Sequence, residues 1–218
     1  MVVNHRGFGN NSKEMKHLLN AVTSQKANKN KTALQHLNLI EGNLKHSKIY
    51  HVVKILITSV LSDTDYLEAM QDMLKDYIDD PTSYLLSIDY YVMLEKYDKA
   101  IEAIEKLEKD TGDSFLNYMK GNIAYTNENY KDAISYFEIV IDEYPTYDTP
   151  KFSLINSYTI QSNYTKCVSV LDQIIANKMY TTSELVEFVE SKEEDGSNSL
   201  LKLEKSEEYK NWKKRQSL

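Results

Sequence analysis

The sequence predicts an all-α chain of antiparallel helix hairpins stacked one on the next, and three observations carry that prediction. A tyrosine followed three residues later by a small residue recurs at Tyr66/Ala69, Tyr97/Ala100, Tyr130/Ala133 and Tyr164/Cys167. The small members lie 31, 33 and 34 residues apart, a period typical of helical repeat arrays. Between them, apolar residues fall at helical spacing, with Asp, Pro and Gly punctuating the segments at regular intervals.

The first dozen residues, with Gly7, Gly9, Asn10 and Asn11, read as a flexible start. Ser12 then supplies an N-cap for a helix whose apolar face holds Met15, Leu18, Leu19 and Val22. After a polar turn at Lys26–Asn30, Ala33, Leu34, Leu37, Ile40 and Leu44 share a second helical face. From Ile49 to Leu61 the apolar density rises through Val53, Leu56, Ile57 and Val60, and an Asp-rich turn leads to Tyr66, Ala69 and Met73. Asp80 and Pro81 open the next unit, where proline is tolerated because a first-turn amide has no helical partner to lose. Tyr84, Ile88 and Tyr91 mark its first helix, Tyr97, Ala100, Ile104 and Leu107 its second, and Thr111 and Gly112 break it.

The stretch from Ser114 to Tyr147 is the most regular: Gly121, Tyr130, Ala133, Phe137 and Pro145 occupy fixed offsets. The next unit follows without a gap. Thr149 and Pro150 read as N-cap and first-turn proline, and Leu154, Ile155, Tyr158, Tyr164, Cys167, Leu171 and Ile174 repeat the offsets. Beyond Tyr180, residues Glu184, Leu185, Val186, Phe188 and Val189 suggest one more helix. A polar loop, SKEEDGSNS, then precedes a last amphipathic helix using Leu200, Leu203 and Trp212. Such helices would cover the open core at the end of an array.

The residues Gly121, Tyr130, Ala133, Phe137 and Pro145 resemble the tetratricopeptide repeat, a 34-residue helix–turn–helix unit. Asn117 and Lys120 depart from it, standing where the family usually has Trp and Leu. The resemblance implies a right-handed α–α superhelix of about four to five hairpins. The expected organisation is a flexible segment 1–12, a degenerate helix pair 13–48, repeats over 49–181 (about 50–80, 81–113, 114–147 and 148–181), and capping helices with a basic tail over 182–218. Ala21 and Ala33, twelve apart, match the family's two small positions in the degenerate pair.

Charge is uneven along the chain. Residues 1–54 hold nine Lys/Arg and two Asp/Glu, a balance of +7, so against the total of −7 the remainder carries −14. The basic segment has almost no aromatic residues, whereas nucleic-acid surfaces usually combine the two, so no nucleic-acid partner is expected. No apolar run approaches the ~20 residues of a membrane span, the opening residues lack a secretory signal, and one cysteine, Cys167, excludes an internal disulfide framework. A cytoplasmic protein without a membrane partner is the expectation. All five histidines lie between His5 and His51 with no HExxH pair, and there is no GxSxG elbow and no phosphate-binding glycine loop. His46 and His51, five apart, align poorly as co-ligands on a helix. No enzyme activity, cofactor or metal is therefore expected.

In the family that the sequence resembles, the first helix of each repeat lines the concave face, and four of its positions carry ligand contacts. Transferred to this chain they are Leu85, Asp89 and Val92; Phe115, Tyr118, Asn122 and Tyr125; and Phe152, Asn156 and Thr159. Aromatic area together with amides suits an extended or helical protein segment. Of the positions that form a chaperone carboxylate clamp in some members of the family, only Asn122 and Asn156 are of the right kind, with Tyr118 and Phe152 at another, so that specificity is not expected. The function expected is a non-enzymatic adaptor or scaffold binding a partner protein or peptide. The alternatives are a docking part of a larger enzyme or receptor, or a self-associating structural protein.

Overall fold

The computed structural model describes residues 6–178, 180–192 and 197–217, with side chains from Lys13 onward. Thirteen α-helices and no strand occur among the described residues: α1 (Arg6–Lys26), α2 (Asn30–Leu37), α3 (Lys48–Thr58), α4 (Asp63–Asp76), α5 (Pro81–Met93), α6 (Tyr97–Thr111), α7 (Leu116–Thr126), α8 (Tyr130–Glu143), α9 (Thr149–Ile160), α10 (Tyr164–Ala176), α11 (Thr182–Glu190), α12 (Leu201–Glu204) and α13 (Glu207–Arg215). They fall into two compact units, Met1–Leu107 and Glu108–Leu218.

In the first unit α1 packs on α2, α2 on α3, α3 on α4 and α4 on α5. One core cluster joins Leu18, Ala21, Ala33, Leu37, Ile40, Tyr50, Val53 and Ile57. A second joins Ile55, Tyr66, Ala69, Met70, Met73 and Tyr90. The lysines that close the basic segment meet acids further along the chain: Lys48 lies 2.8 Å from Asp80 and Lys54 2.9 Å from Asp72.

In the second unit α7 packs on α8, α8 on α9, α9 on α10 and α10 on α13. A single cluster runs through Ala133, Phe137, Ile155, Cys167, Leu171 and Ile174 to Leu185, Leu203, Tyr209 and Trp212. The crossing of α7 with α8 needs the glycine at position 121, because a Cβ there would stand inside the van der Waals radius of the Phe137 ring. Cys167 on α10, at the offset that Ala133 holds on α8, is fully buried. Burial pushes its thiol up to about 11, so it stays protonated and acts as a small hydrophobe.

The turns repeat as closely as the helices do. Between α5 and α6, α7 and α8, and α9 and α10, one residue adopts a left-handed backbone: Glu95 (φ 55°), Glu128 (φ 56°) and Ser162 (φ 56°). In each turn its amide and the following one donate back to the preceding helix, as in Glu128 N to Tyr125 O and Asn129 N to Ala124 O. This pair of bonds is the Schellman closure of a helix C-terminus. Asn28 (φ 58°) closes α1 in the same way. Asn129 and Asn163 then cap α8 and α10 through their side-chain oxygens.

Four expectations need correction. Helix α1 starts at Arg6, so Ser12 lies inside it and residues 6–12 are helical. Once Leu18 and Ala21 anchor the helix in the core, each added residue extends it at little cost. Helix α2 ends at Leu37 and a 3-10 turn at Asn43–His46 replaces its extension to Leu44. The Gly42 amide donates to Glu14 Oε1 at 2.6 Å instead of continuing a helical ladder. At α9 the cap position is Asp148, with Thr149 and Pro150 already helical; Asp148 itself has helical backbone angles (φ −88°, ψ −26°) and makes no side-chain cap bond, and its Oδ1 accepts from Lys151. The last amphipathic segment is two helices, divided where Ser206 accepts from the Tyr209 amide and starts α13.

Candidate functional site

The first helices of successive hairpins carry the residues singled out from the sequence. In the first unit Leu85 and Asp89 lie one turn apart on α5, both exposed, and Leu85 leaves 53% of its surface in solvent. Val92 is half-buried. In the second unit Phe115 precedes α7, Tyr118, Asn122 and Tyr125 lie on α7, and Phe152 and Asn156 lie on α9. Asn122 is exposed and the other five are half-buried. Thr159 does not belong to the accessible face. It is 1% exposed, and its hydroxyl donates to Ile155 O at 2.8 Å, the usual back-bond of a mid-helix threonine.

Phe115 and Tyr118 meet at a ring separation of 6.0 Å, and Tyr118 rests 5.9 Å from Phe137. Two tyrosines from the segment between α8 and α9 complete this cluster: Tyr144 stands edge-on to Phe115 at 5.7 Å and Tyr147 lies 5.2 Å from it. Tyr125 pairs instead with Tyr130 at 5.3 Å, and burial raises its phenol above the ordinary range. Phe152 meets Tyr180 at 5.2 Å and Phe188 at 4.8 Å. Phe152, Tyr180, Glu184, Leu185 and Phe188 enclose an open, mainly apolar pocket of about 330 Å³. Sequence reasoning missed Tyr144, Tyr147 and Tyr180, which sit outside the helices. It treated Phe188 as part of a cap, although α11 begins 33 residues after α9 and so holds a first-helix position.

The lysines of α7 and α9 are not available to a ligand. Lys120 Nζ lies 2.7 Å from Glu108 Oε2 and 5.1 Å from the centre of the Tyr136 ring. Lys151, 1% exposed, donates to Asp148 Oδ1 at 3.0 Å and to Pro145 O at 2.5 Å. Asn117, in the position that the repeat family gives to Trp, is buried and donates to Glu108 and to Ser114 O. Both departures from the family pattern are thus resolved by one acid, Glu108.

The two histidines read as unaligned both reach one carboxylate. His51 Nε2 lies 3.1 Å and His46 Nδ1 3.4 Å from Asp76 Oδ2. This is possible because His46 sits in the 3-10 turn before α3, not on the same helix. Hydrogen bonds from His46 and then His51 hold Asp76 below the usual carboxylate range. Among the described residues no group of three or more His, Cys, Asp or Glu could hold a metal ion, and no helix is long and apolar enough to cross a membrane.

Hairpins packed through small residues at the same offset, four of them closed by the same turn, define a tetratricopeptide-like helical-repeat fold. The solved structures that share it include MamA AMB-1, at 13% identity and a TM-score of 0.63 over 81% of this chain and 98% of that one. A second is residues 41 to the end of MamA from Desulfovibrio magneticus RS-1, at 12% identity and 0.65 over 76% and 95% of the two chains. A further MamA crystal structure aligns at 10% identity and 0.66 over 77% and 93%. At these identities the likeness is one of fold. No protein-family model and no curated protein matches the sequence.

Proposed function

We propose that this chain is a non-enzymatic interaction module that receives a segment of a partner protein on the first helices of its hairpins, acting in the cytoplasm without a cofactor. The observation that carries the reading is the surface of α7 and α9. There Tyr118, Asn122, Tyr125, Phe152 and Asn156 keep full or partial exposure while the cations of the same helices, Lys120 and Lys151, are buried in ion pairs. Half-buried rings offer contact area at a low entropy cost, and an amide both donates to and accepts from a partner backbone. A protonated, buried Cys167 suits a compartment in which thiols remain reduced. On α5, in the first unit, Leu85 and Asp89 offer an apolar and an acidic side chain of their own. Phe115 contributes mainly by holding Tyr118 in place.

The test is affinity capture with the parent, with a Tyr118→Leu, Asn122→Ala, Phe152→Leu variant, and with a control variant altered at the exposed α8 residues Lys131, Ser135 and Ile139. A partner retained by the parent and the control, and lost from the triple variant at unchanged helicity and melting, is the expected result. Retention of every partner by the triple variant would remove the proposal.

A further inference from the structure

The pocket beside Phe152 says what kind of segment the second unit takes, an inference that rests on the interaction reading above. Its walls are the rings of Phe152 and Phe188 and the Leu185 side chain. Tyr180, 38% exposed, closes it from the turn before α11. At about 330 Å³ it has room for one bulky side chain and its neighbours, and apolar pockets of this kind are where interface anchors usually seat.

Among the described residues, Glu184 is the single charged one that lines the pocket. Its Oε2 accepts from the Thr181 amide and the Thr181 hydroxyl, both at 2.7 Å. That capping box fixes the carboxylate at the rim. Among the described residues, the charged groups of α7, α9 and α11 are Lys120, Lys151, Glu184, Glu187 and Glu190. Lys120 and Lys151 are sequestered, and Glu190 is held by Lys213 at 2.7 Å and by the Tyr209 hydroxyl. Of these five, Glu184 and the exposed Glu187 are left to meet a partner.

We infer that this pocket accepts a large apolar side chain from a protein segment that carries arginine or lysine next to that anchor, with the cation set against Glu184. An arginine would also find the Tyr180 and Phe152 rings as faces to stack on. An acidic segment or a chain-terminal carboxylate would meet the Glu184 charge, and none of the described lining residues is a cation that would offset it.

The probes are three fluorescent dodecapeptides with one central Phe in a Ser/Ala background, flanked on both sides by Arg, by Glu or by Ser. Anisotropy titration of the full chain should rank them Arg, Ser, Glu, with the Arg peptide at least about fivefold tighter than the Glu peptide at 50 mM salt and the gap narrowing as salt rises. Glu184→Gln, which keeps an N3 acceptor for the cap, should bring the three peptides to within about twofold of one another. Phe188→Ala, with its melting checked, should weaken all three together. Equal binding of the Arg and Glu peptides by the parent, a preference unchanged by Glu184→Gln, or no binding of any peptide would each overturn the inference. The capture experiment, which reads the α7–α9 face with natural partners, stands or falls separately.

Discussion

Replacing Phe137 with alanine is expected to cost about 3–5 kcal/mol of unfolding free energy, out of the ~5–15 kcal/mol available to a typical domain. The ring is fully buried on α8, seated on Gly121 of α7 and against Tyr118. Its removal leaves a cavity lined by helices that also pack on their other neighbours and so cannot collapse inward. Urea denaturation followed at Trp212, the only tryptophan and a member of the same core cluster, would measure the loss. A second substitution gives the effect a sign. In the parent, Gly121→Ala gains about 1 kcal/mol of helix propensity but drives a methyl into the Phe137 ring at a cost of about 1–3 kcal/mol. The net effect is destabilising. In the Phe137→Ala background the clash is gone, and the same substitution should stabilise. Equal effects of Gly121→Ala in the two backgrounds would show that the close approach is not what the glycine is for.

The second large effect is expected at Lys151, whose loss to alanine should cost about 3–5 kcal/mol although the residue is a lysine near a turn. Lys151 is 1% and its partner Asp148 5% exposed, and the second carboxylate oxygen, Asp148 Oδ2, has no hydrogen-bond partner among the described residues. Removing the ammonium therefore strands a buried charge. It also frees the Pro145 carbonyl, which would keep only the Asn177 amide at 2.7 Å. The double replacement Asp148→Ala, Lys151→Met removes both charges and should restore most of the stability, since a buried pair exchanged for apolar groups is often neutral. Thermal melts of the three variants decide the matter; a Lys151→Ala protein that melts with the parent would contradict the assignment.

What the sequence made legible was the part of the fold that side-chain size enforces. A hairpin crossing tolerates a small residue and little else, so Ala69, Ala100, Ala133 and Cys167 mark it each time. The turns were not legible in the same way. A left-handed residue is usually read from glycine, but here Glu95, Glu128 and Ser162 occupy those positions, and only the backbone bonds of the turn reveal them. The start of α1 was missed for a related reason. GFGNN reads as a loop locally, while the helix extends through it from an anchor further on.

The candidate surface divides along similar lines. Helical offsets located Tyr118, Asn122, Phe152 and Asn156, because a face is a matter of period. The same offsets included Thr159, whose short side chain turns back onto its own helix and leaves the surface. They could not find Tyr147 or Tyr180, which reach the rings of Phe115 and Phe152 from connecting segments. Nor could they show that Lys120 and Lys151 are unavailable, since their partners Glu108 and Asp148 are set by turn geometry.

The central claim is that a partner lies along the first helices and not along the second. Its most direct measurement places the photo-crosslinking residue p-benzoylphenylalanine at Tyr125 of α7 or, in a separate protein, at the exposed Ile139 of α8, and irradiates each with the captured partner bound. A covalent adduct is expected from position 125 and none from position 139; an adduct from position 139 alone would show that the partner lies on the second helices.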